Sequence, residues 1–247
     1  MDRLQLDKNA KLTGRVYFKD EVMWLGLSGS GASFTFDGTK LVLKLKGDNI
    51  AVGDNPIDYA RIAVYVDGKR VVDEMIDCAE KEVTVIDRTE NAQSVVEIIK
   101  LSESPMSAVG IEAFAEGSAE TLPEKPLKIE FIGDSITCGY GVDDEDENHQ
   151  FTTATEDVTK AYAYKTAKAL DAEYSMFSAS GYGIVSGYTE GDEPISEQTI
   201  PQFYCSYGFS RGNFAGTAPQ DIPWDFSKYI PQIIVINLGT NDDSYCR

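Results

Sequence analysis

The sequence predicts two units of different class in one chain: an all-β antiparallel sandwich of the jelly-roll kind, then an α/β unit built on a parallel sheet. Three observations carry this. From about Leu12 to Phe114 apolar residues alternate in short runs broken by turn residues, the two-residue period of half-buried strands. A Gly-, Ser-, Thr- and Pro-rich stretch, EGSAETLPEKPLK, follows at Glu116 to Lys128, and its two prolines cannot donate to a sheet ladder. Beyond it the apolar residues form continuous short runs separated by longer segments, the pattern of a parallel sheet. The expected boundaries are a sandwich at residues 1–117, a linker at 118–127 and the α/β unit at 128–247.

Each element follows in order. Ala32, Phe34 and Phe36 alternate on one side of Asp37-Gly38, and Leu41, Leu43 and Leu45 on the other, which predicts a hairpin turning at that pair. Ile62, Val64 and Val66, then Asp67-Gly68, then Val71 and Val72 predict a second hairpin. Further strands are expected at Val83–Val85, Val95–Ile99 and Val109–Phe114. Six or more short strands with no helical period between them argue for a sandwich. After the linker, Lys128 to Ile132 reads as a strand running into Gly133-Asp134-Ser135. Thr159 to Leu170 places Ala163, Ala167 and Leu170 at helical spacing. Tyr174 to Phe177 is a second strand, leading to Ser180-Gly181, and Ile233 to Leu238 a third, leading to Gly239-Thr240-Asn241-Asp242. Ligand sites of such sheets lie beyond the carboxyl ends of the strands. Between Tyr182 and Tyr229 the chain is rich in Gly, Pro and aromatic residues with little periodicity, a long loop expected to act as a lid or binding wall.

Composition bounds the function. The 247 residues include 41 acidic and 22 basic side chains, for a net charge of -19. That field repels phosphate backbones and disfavours DNA or RNA as a partner. Hydrophobic residues make up 42% of the chain, enough for a sizeable core and against global disorder. No apolar run reaches the ~18–20 residues of a membrane helix, so no membrane partner is expected. Met1-Asp2-Arg3-Leu4 opens without the apolar segment of a secretion signal. As written the chain reads as cytoplasmic, or as secreted if its N-terminus was trimmed. Cys78, Cys138, Cys205 and Cys246 lie far apart with no CxxC spacing, and free thiols are expected.

The chemistry gathers at the strand ends. A serine directly after a strand, with a glycine that permits a tight turn, can present its hydroxyl above the sheet. Ser135 either does this or caps a helix. Gly181 allows close backbone approach to a ligand, and Asn241 offers an amide donor. Taken singly, each is compatible with an ordinary turn; together a serine, a backbone N–H and an amide could converge on one oxyanion.

GDSIT at Gly133 to Thr137, SGYG at Ser180 to Gly183 and GTND at Gly239 to Asp242 resemble the first three sequence blocks of the SGNH hydrolases, the GDSL-like esterases. The wider strings IEFIGDSITCGYG, TED before a helix, TIPQFY and WDFSKYIPQIIVINLGTND resemble the carbohydrate esterase family 2 acetyl esterases, described as endoglucanase E-like. WLGLSGSGASFTFDGTKL and the DRTE at Asp87 to Glu90 resemble that family's N-terminal domain. The resemblance implies a jelly roll followed by an SGNH domain of flavodoxin-like, three-layer form. It implies that Ser135 attacks an acetyl carbonyl and that the N–H groups of Ser135 and Gly181, with the Asn241 amide, form the oxyanion hole. The implied reaction removes O-acetyl groups from plant polysaccharides or oligosaccharides such as xylan or mannan, through an acetyl-serine, with no metal and no cofactor. Trp224 and Tyr204 are candidates for stacking on a sugar ring or, equally, for loop packing.

A serine hydroxyl needs a base, usually histidine, and the chain has one histidine, His149. It lies beside the acidic run Asp143 to Glu147 and reads as a solvated loop residue. In the resembled family the base comes from a block after GTND, and the sequence stops at Arg247. The SGNH unit is therefore expected to be incomplete, part of a longer protein. The alternative is a protein without the usual base, either a non-catalytic carbohydrate-binding protein or a weak enzyme using His149. The acidic run is either a calcium site or a solvated loop, and it lacks the EF-hand spacing.

Overall fold

The structure is a computed structural model that describes residues 1–246. Nine strands form the first unit: β1 Asp2–Leu4, β2 Lys11–Thr13, β3 Val16–Lys19, β4 Val22–Leu25, β5 Gly31–Gly47, β6 Ala60–Val66, β7 Lys69–Ile76, β8 Glu80–Lys100 and β9 Val109–Thr121. They run in the order β3-β4-β9-β5-β8-β6-β7, with β1 on β9 and β2 on β5. All these pairings are antiparallel. Helices are few and short: α1 Leu6–Asn9, α2 Ser135–Cys138, α3 Tyr162–Ala169 and α4 Ile200–Phe203. No helix of the described residues is long and apolar enough to cross a membrane.

Two expected hairpins had the same sequence signal, and one formed. Asp67 (φ 51°) and Gly68 (φ 78°) join β6 to β7, the left-handed pair that a tight primed turn requires. Asp37 and Gly38 have no positive φ, and β5 runs straight through them as a 17-residue strand. The register with both β8 and β9 slips between Gly38 and Lys40. That slip shifts the alternation by one residue, so Phe34 and Phe36 before it, and Leu41 and Leu43 after it, enter the same core. A reversal of parity across Asp-Gly was a bulge, not a turn. The runs Val83–Val85 and Val95–Ile99 are likewise the two halves of one strand, β8.

The expected linker is also shorter than its composition suggests. Residues up to Thr121 belong to β9, where Ser118 pairs with Asp37 and Thr121 with Phe34. Only Leu122 to Leu127 leave the sheet.

The second unit is a three-stranded parallel sheet, β10 Lys128–Gly133 in the centre with β11 Glu173–Ser178 and β12 Ile233–Asn237 on either side. Gly133 is in register with Ser178 on one side and Asn237 on the other, so all three carboxyl ends open on one edge. The expected helix at Thr159–Leu170 is shorter: a 3-10 turn holds Val158–Lys160 before α3. Ala163 and Ala167 are fully buried with Phe131 and Tyr174, whereas Leu170, just past the helix end, is 53% exposed.

The units share their cores. Ala63, Ile99 and Leu101 of the first unit pack in one apolar cluster with Ile129, Phe131 and Met176 of the second. Arg15 is fully buried where they meet. Its guanidinium lies 4.3 Å from the Phe177 ring centroid and 4.7 Å from that of Tyr204. It donates to the carbonyls of Tyr204 (2.6 Å) and Ser206 (2.5 Å). Desolvation lowers its pKa, against the opposing pull of Glu130, 3.5 Å away.

Candidate active site

The serine turn is built by its neighbours. Gly133 ends β10, and a Cβ there would stand 2.0 Å from Thr137 Oγ1, so only glycine lets α2 fold back onto the strand end. Asp134 is the helix cap: its Oδ1 accepts the Ile136 N–H at 3.0 Å. Ser135 is the first residue of α2, so the helix-capping alternative falls to its neighbour. The Ser135 side chain makes no hydrogen bond among the described residues, and the residue is half-buried at the sheet edge. Gly139 (φ 83°) closes α2 by donating to the Ser135 carbonyl.

Gly181 lies three residues beyond β11 with φ 79°, and a Cβ there would meet nothing within 4 Å. Backbone conformation, not crowding, requires glycine, and the space before it is open. Neither the Ser135 N–H nor the Gly181 N–H is bonded to another group among the described residues. Asn241 lies four residues beyond β12 and is buried. Its Nδ2 donates to the Tyr182 carbonyl at 2.8 Å, which fixes the amide against the Gly181 turn and leaves its second N–H unspent. The structure thus brings Ser135, Gly181 and Asn241 to one edge of the parallel sheet.

Asp242 was quoted in a motif but given no task. Its Oδ1 accepts from the N–H groups of Ile184 (2.9 Å), Val185 (2.6 Å) and Ser186 (3.1 Å). Desolvation pushes its pKa up, the three N–H donors pull it down, and the net result lies below the usual carboxylate range. The GTND turn therefore clamps the loop that carries Gly181.

The aromatic pair is engaged in packing. Tyr204 donates its hydroxyl to Glu130 Oε2 at 2.6 Å, and its ring packs on Arg15, Phe177 and Phe226. Trp224 is half-buried, with Arg15 5.3 Å and Lys228 5.7 Å from its ring centroid. Both belong to the packing around Arg15, which had no sequence signal. Near the Gly181 turn, a small hollow of about 100 Å³ is lined by Pro105, Tyr182, Phe203 and Phe209. A larger cavity of about 420 Å³ lies along the seam between the units and touches none of Ser135, Gly181 and Asn241.

His149 is not poised on Ser135. Its Nδ1 lies 2.8 Å from Asp144 Oδ1 and its side chain is 63% exposed. The acidic run is divided among partners: Asp143 pairs with Arg61 (2.9 Å) and Lys160, and Asp144 with His149. Among the described residues the one carboxylate and thiol group close enough to hold a metal is instead Glu103, Cys138 and Glu156, all buried.

Comparison with known proteins shows what the chain is similar to. Residues 12–126 match the model of the carbohydrate esterase 2 N-terminal domain. The chain is 32% identical over 220 residues to the cellulase/esterase CelE of Acetivibrio thermocellus, covering 88% of this chain and 24% of that protein. It is 29% identical over 245 residues to an acetylxylan esterase / glucomannan deacetylase of Cellvibrio japonicus, covering 96% of this chain and 62% of that one. The chain thus spans less than two thirds of these relatives' length. Among solved structures, a family two carbohydrate esterase from Clostridium thermocellum in complex with cellohexaose superposes with a TM-score of 0.77 at 28% identity, over 95% of this chain and 67% of that one. One from Cellvibrio japonicus shares the fold at a TM-score of 0.80 and 24% identity, over 97% and 67%. By motif, matched domain and structure, residues 12–126 carry the carbohydrate esterase 2 N-terminal domain, and the chain is similar to family 2 carbohydrate esterases over nearly all its length.

Proposed function

We propose that Ser135 is the nucleophile of an esterase that removes O-acetyl groups from plant polysaccharides or their oligosaccharides. The observation that carries this reading is the shared sheet edge: a serine hydroxyl with no other partner, two unspent backbone N–H groups at Ser135 and Gly181, and one unspent N–H of the Asn241 amide. Ser135 Oγ attacks the acetyl carbonyl carbon while a base takes its proton. The carbonyl oxygen becomes an oxyanion facing these donors. Collapse breaks the bond to the sugar oxygen, which takes a proton and leaves as the free hydroxyl. Water then repeats the sequence on the acetyl-serine and releases acetate. In this reading His149 is not the base, and a segment beyond the three blocks supplies it. The same reading makes the first unit a jelly roll and the second part of an SGNH sheet that continues past β12. In support, Ile234 and Ile236 of β12 are 54% and 63% exposed, unlike the covered strands of a complete parallel sheet.

The substrate class rests on the relatives named for acetylxylan and glucomannan deacetylation and on the relative solved with cellohexaose. The test is acetyl release from 4-nitrophenyl acetate, acetylated xylan and acetylated glucomannan by the intact protein and by Ser135→Ala. The proposal expects the variant to fall to the background rate. Equal rates would remove Ser135 from the mechanism, and retained binding of cello- or manno-oligosaccharides without turnover by the wild type would favour a carbohydrate-binding role.

A further inference from the structure

The segment Leu101 to Ala108 joins β8 to β9, and every residue in it is buried. A polar connector, LSESPMSA, would normally lie on the surface. Here it runs beneath the candidate active site. Ser104 Oγ donates to the Phe209 carbonyl at 2.5 Å, and the Val158 N–H donates to the Leu101 carbonyl at 3.2 Å. Glu103, fully buried, extends from this segment to the other unit. Its Oε2 accepts the N–H of Ser180, the residue before Gly181, at 2.5 Å. The same oxygen lies 3.7 Å from the sulfur of Cys138, the last residue of the helix that Ser135 begins.

We propose that Glu103, a residue of the β-rich unit, is a positioning residue of the active site, holding the Ser180–Gly181 turn and the Ser135 helix at one fixed separation. The inference rests on the esterase reading above for its effect on rate, though not for the contact itself. Glu103 reaches the reacting groups only through Ser180 and Cys138.

Buried charged groups surround this position. Lys100 is fully buried and donates to the carbonyls of Ser102 (2.6 Å) and Glu103 (3.0 Å). Its charge faces three buried carboxyls, those of Glu156, Asp48 and Glu103, and Glu156 accepts the Glu103 N–H at 2.9 Å. One lysine cannot balance all of them, so burial favours the neutral form of the carboxyls with the fewest donors. Desolvation raises both glutamate carboxyls, and Glu156 rises well above the usual range, with the nearby charge of Glu103 adding to the effect. Glu103 has the two donors, at Ser180 and Cys138, that favour its ionised form. Glu156 is the one pushed further towards its neutral form. With Lys100 supplying a positive charge and Cys138 held as a thiol by burial, the group reads as a brace between the two units.

The experiment compares kcat and KM for 4-nitrophenyl acetate in the intact wild type, Glu103→Ala and Glu103→Gln, together with amide hydrogen exchange at Ser180 in the wild type. Loss of one oxyanion-hole donor costs about 100- to 1,000-fold in kcat; a loosened donor should cost less. Glu103→Ala is expected to lower kcat roughly 10- to 100-fold with KM changed less than about threefold. Glu103→Gln keeps an acceptor oxygen and should recover part of that loss. The Ser180 amide should exchange about 100-fold or more slowly than an open loop amide. A kcat within twofold of wild type in Glu103→Ala, or a loss wholly in KM, would overturn the proposal. So would fast exchange at Ser180 in the wild type, a result that needs no variant to fold. Failure of the esterase reading is a separate result, seen as unchanged acetyl release in Ser135→Ala.

Discussion

At Asn241 one amide hydrogen is committed to the Tyr182 carbonyl, and that bond aims the other. Asn241→Ala should therefore lower kcat for acetyl release about 100- to 1,000-fold, the cost of a lost oxyanion donor, with little change in KM. Asn241→Asp is a sharper probe, since a carboxylate would accept where the amide donates, facing both the Tyr182 carbonyl and the developing oxyanion. It should be at least as inactive as Asn241→Ala. Asp242 makes a different prediction. Its folded pKa is depressed, so its stabilisation is fully present above the unfolded value of about 3.9 and is lost as pH falls through the lower folded value. Asp242→Ala should cost about 1.5–3 kcal/mol at neutral pH, as expected for hydrogen bonds to a charged group. The deficit relative to wild type should shrink below about pH 4, which urea titrations at pH 7 and pH 3 would measure. At this scale the sequence was legible in placement, with Ser135, Gly181 and Asn241 each lying just beyond a strand end as their motifs imply. It was opaque where a residue acts across the chain: Arg15 and Glu103 sit in segments whose local pattern carries no sign of the partners they meet from the other unit.

Among the elements, β5 shows why alternation is read more safely than turns. Each half of its apolar pattern was correct, and both halves face one core. What local sequence could not decide was whether the change of parity marked a reversal or a bulge, because Asp-Gly serves both and the answer depends on β8 and β9 continuing alongside. The bulge needs glycine for space: a Cβ at Gly38 would lie 2.4 Å from the Glu116 carbonyl oxygen and 2.7 Å from Gly117 Cα. Gly38→Ala should destabilise the protein by about 1–3 kcal/mol through backbone displacement, read from the urea midpoint. Gly68→Ala should act by conformation alone, since no atom lies within 4 Å of its added Cβ and its φ is 78°. Its cost should be near 1 kcal/mol. The parallel strands were more legible, each found within a residue or two, because buried parallel strands are short, continuous apolar runs.

For the whole molecule, the boundary near residue 122 separates two folds without separating two cores. Ile99 and Leu101 pack with Phe131 and Met176, and Leu27 with Ile132 and Phe177. Removing residues 1–121 would expose that surface and leave the buried Glu130 without its Arg15 partner. The remaining segment should bind the dye ANS strongly and lack near-ultraviolet circular dichroism, the marks of lost packing. A segment with sharp near-ultraviolet bands and no dye binding would show the sheet to be independent of the first unit. The net charge of -19 bears on partners at this scale alone: it disfavours polyanions and leaves neutral carbohydrate open. The central claim is that Ser135 forms the acetyl-enzyme. The most direct measurement is acid quenching of the intact protein during turnover of 4-nitrophenyl acetate, followed by peptide mass mapping. The account predicts an added acetyl group on the peptide containing Ser135, absent in Ser135→Ala. Turnover with that peptide unmodified in every quenched sample, or acetyl on a different residue that persists in Ser135→Ala, would contradict it.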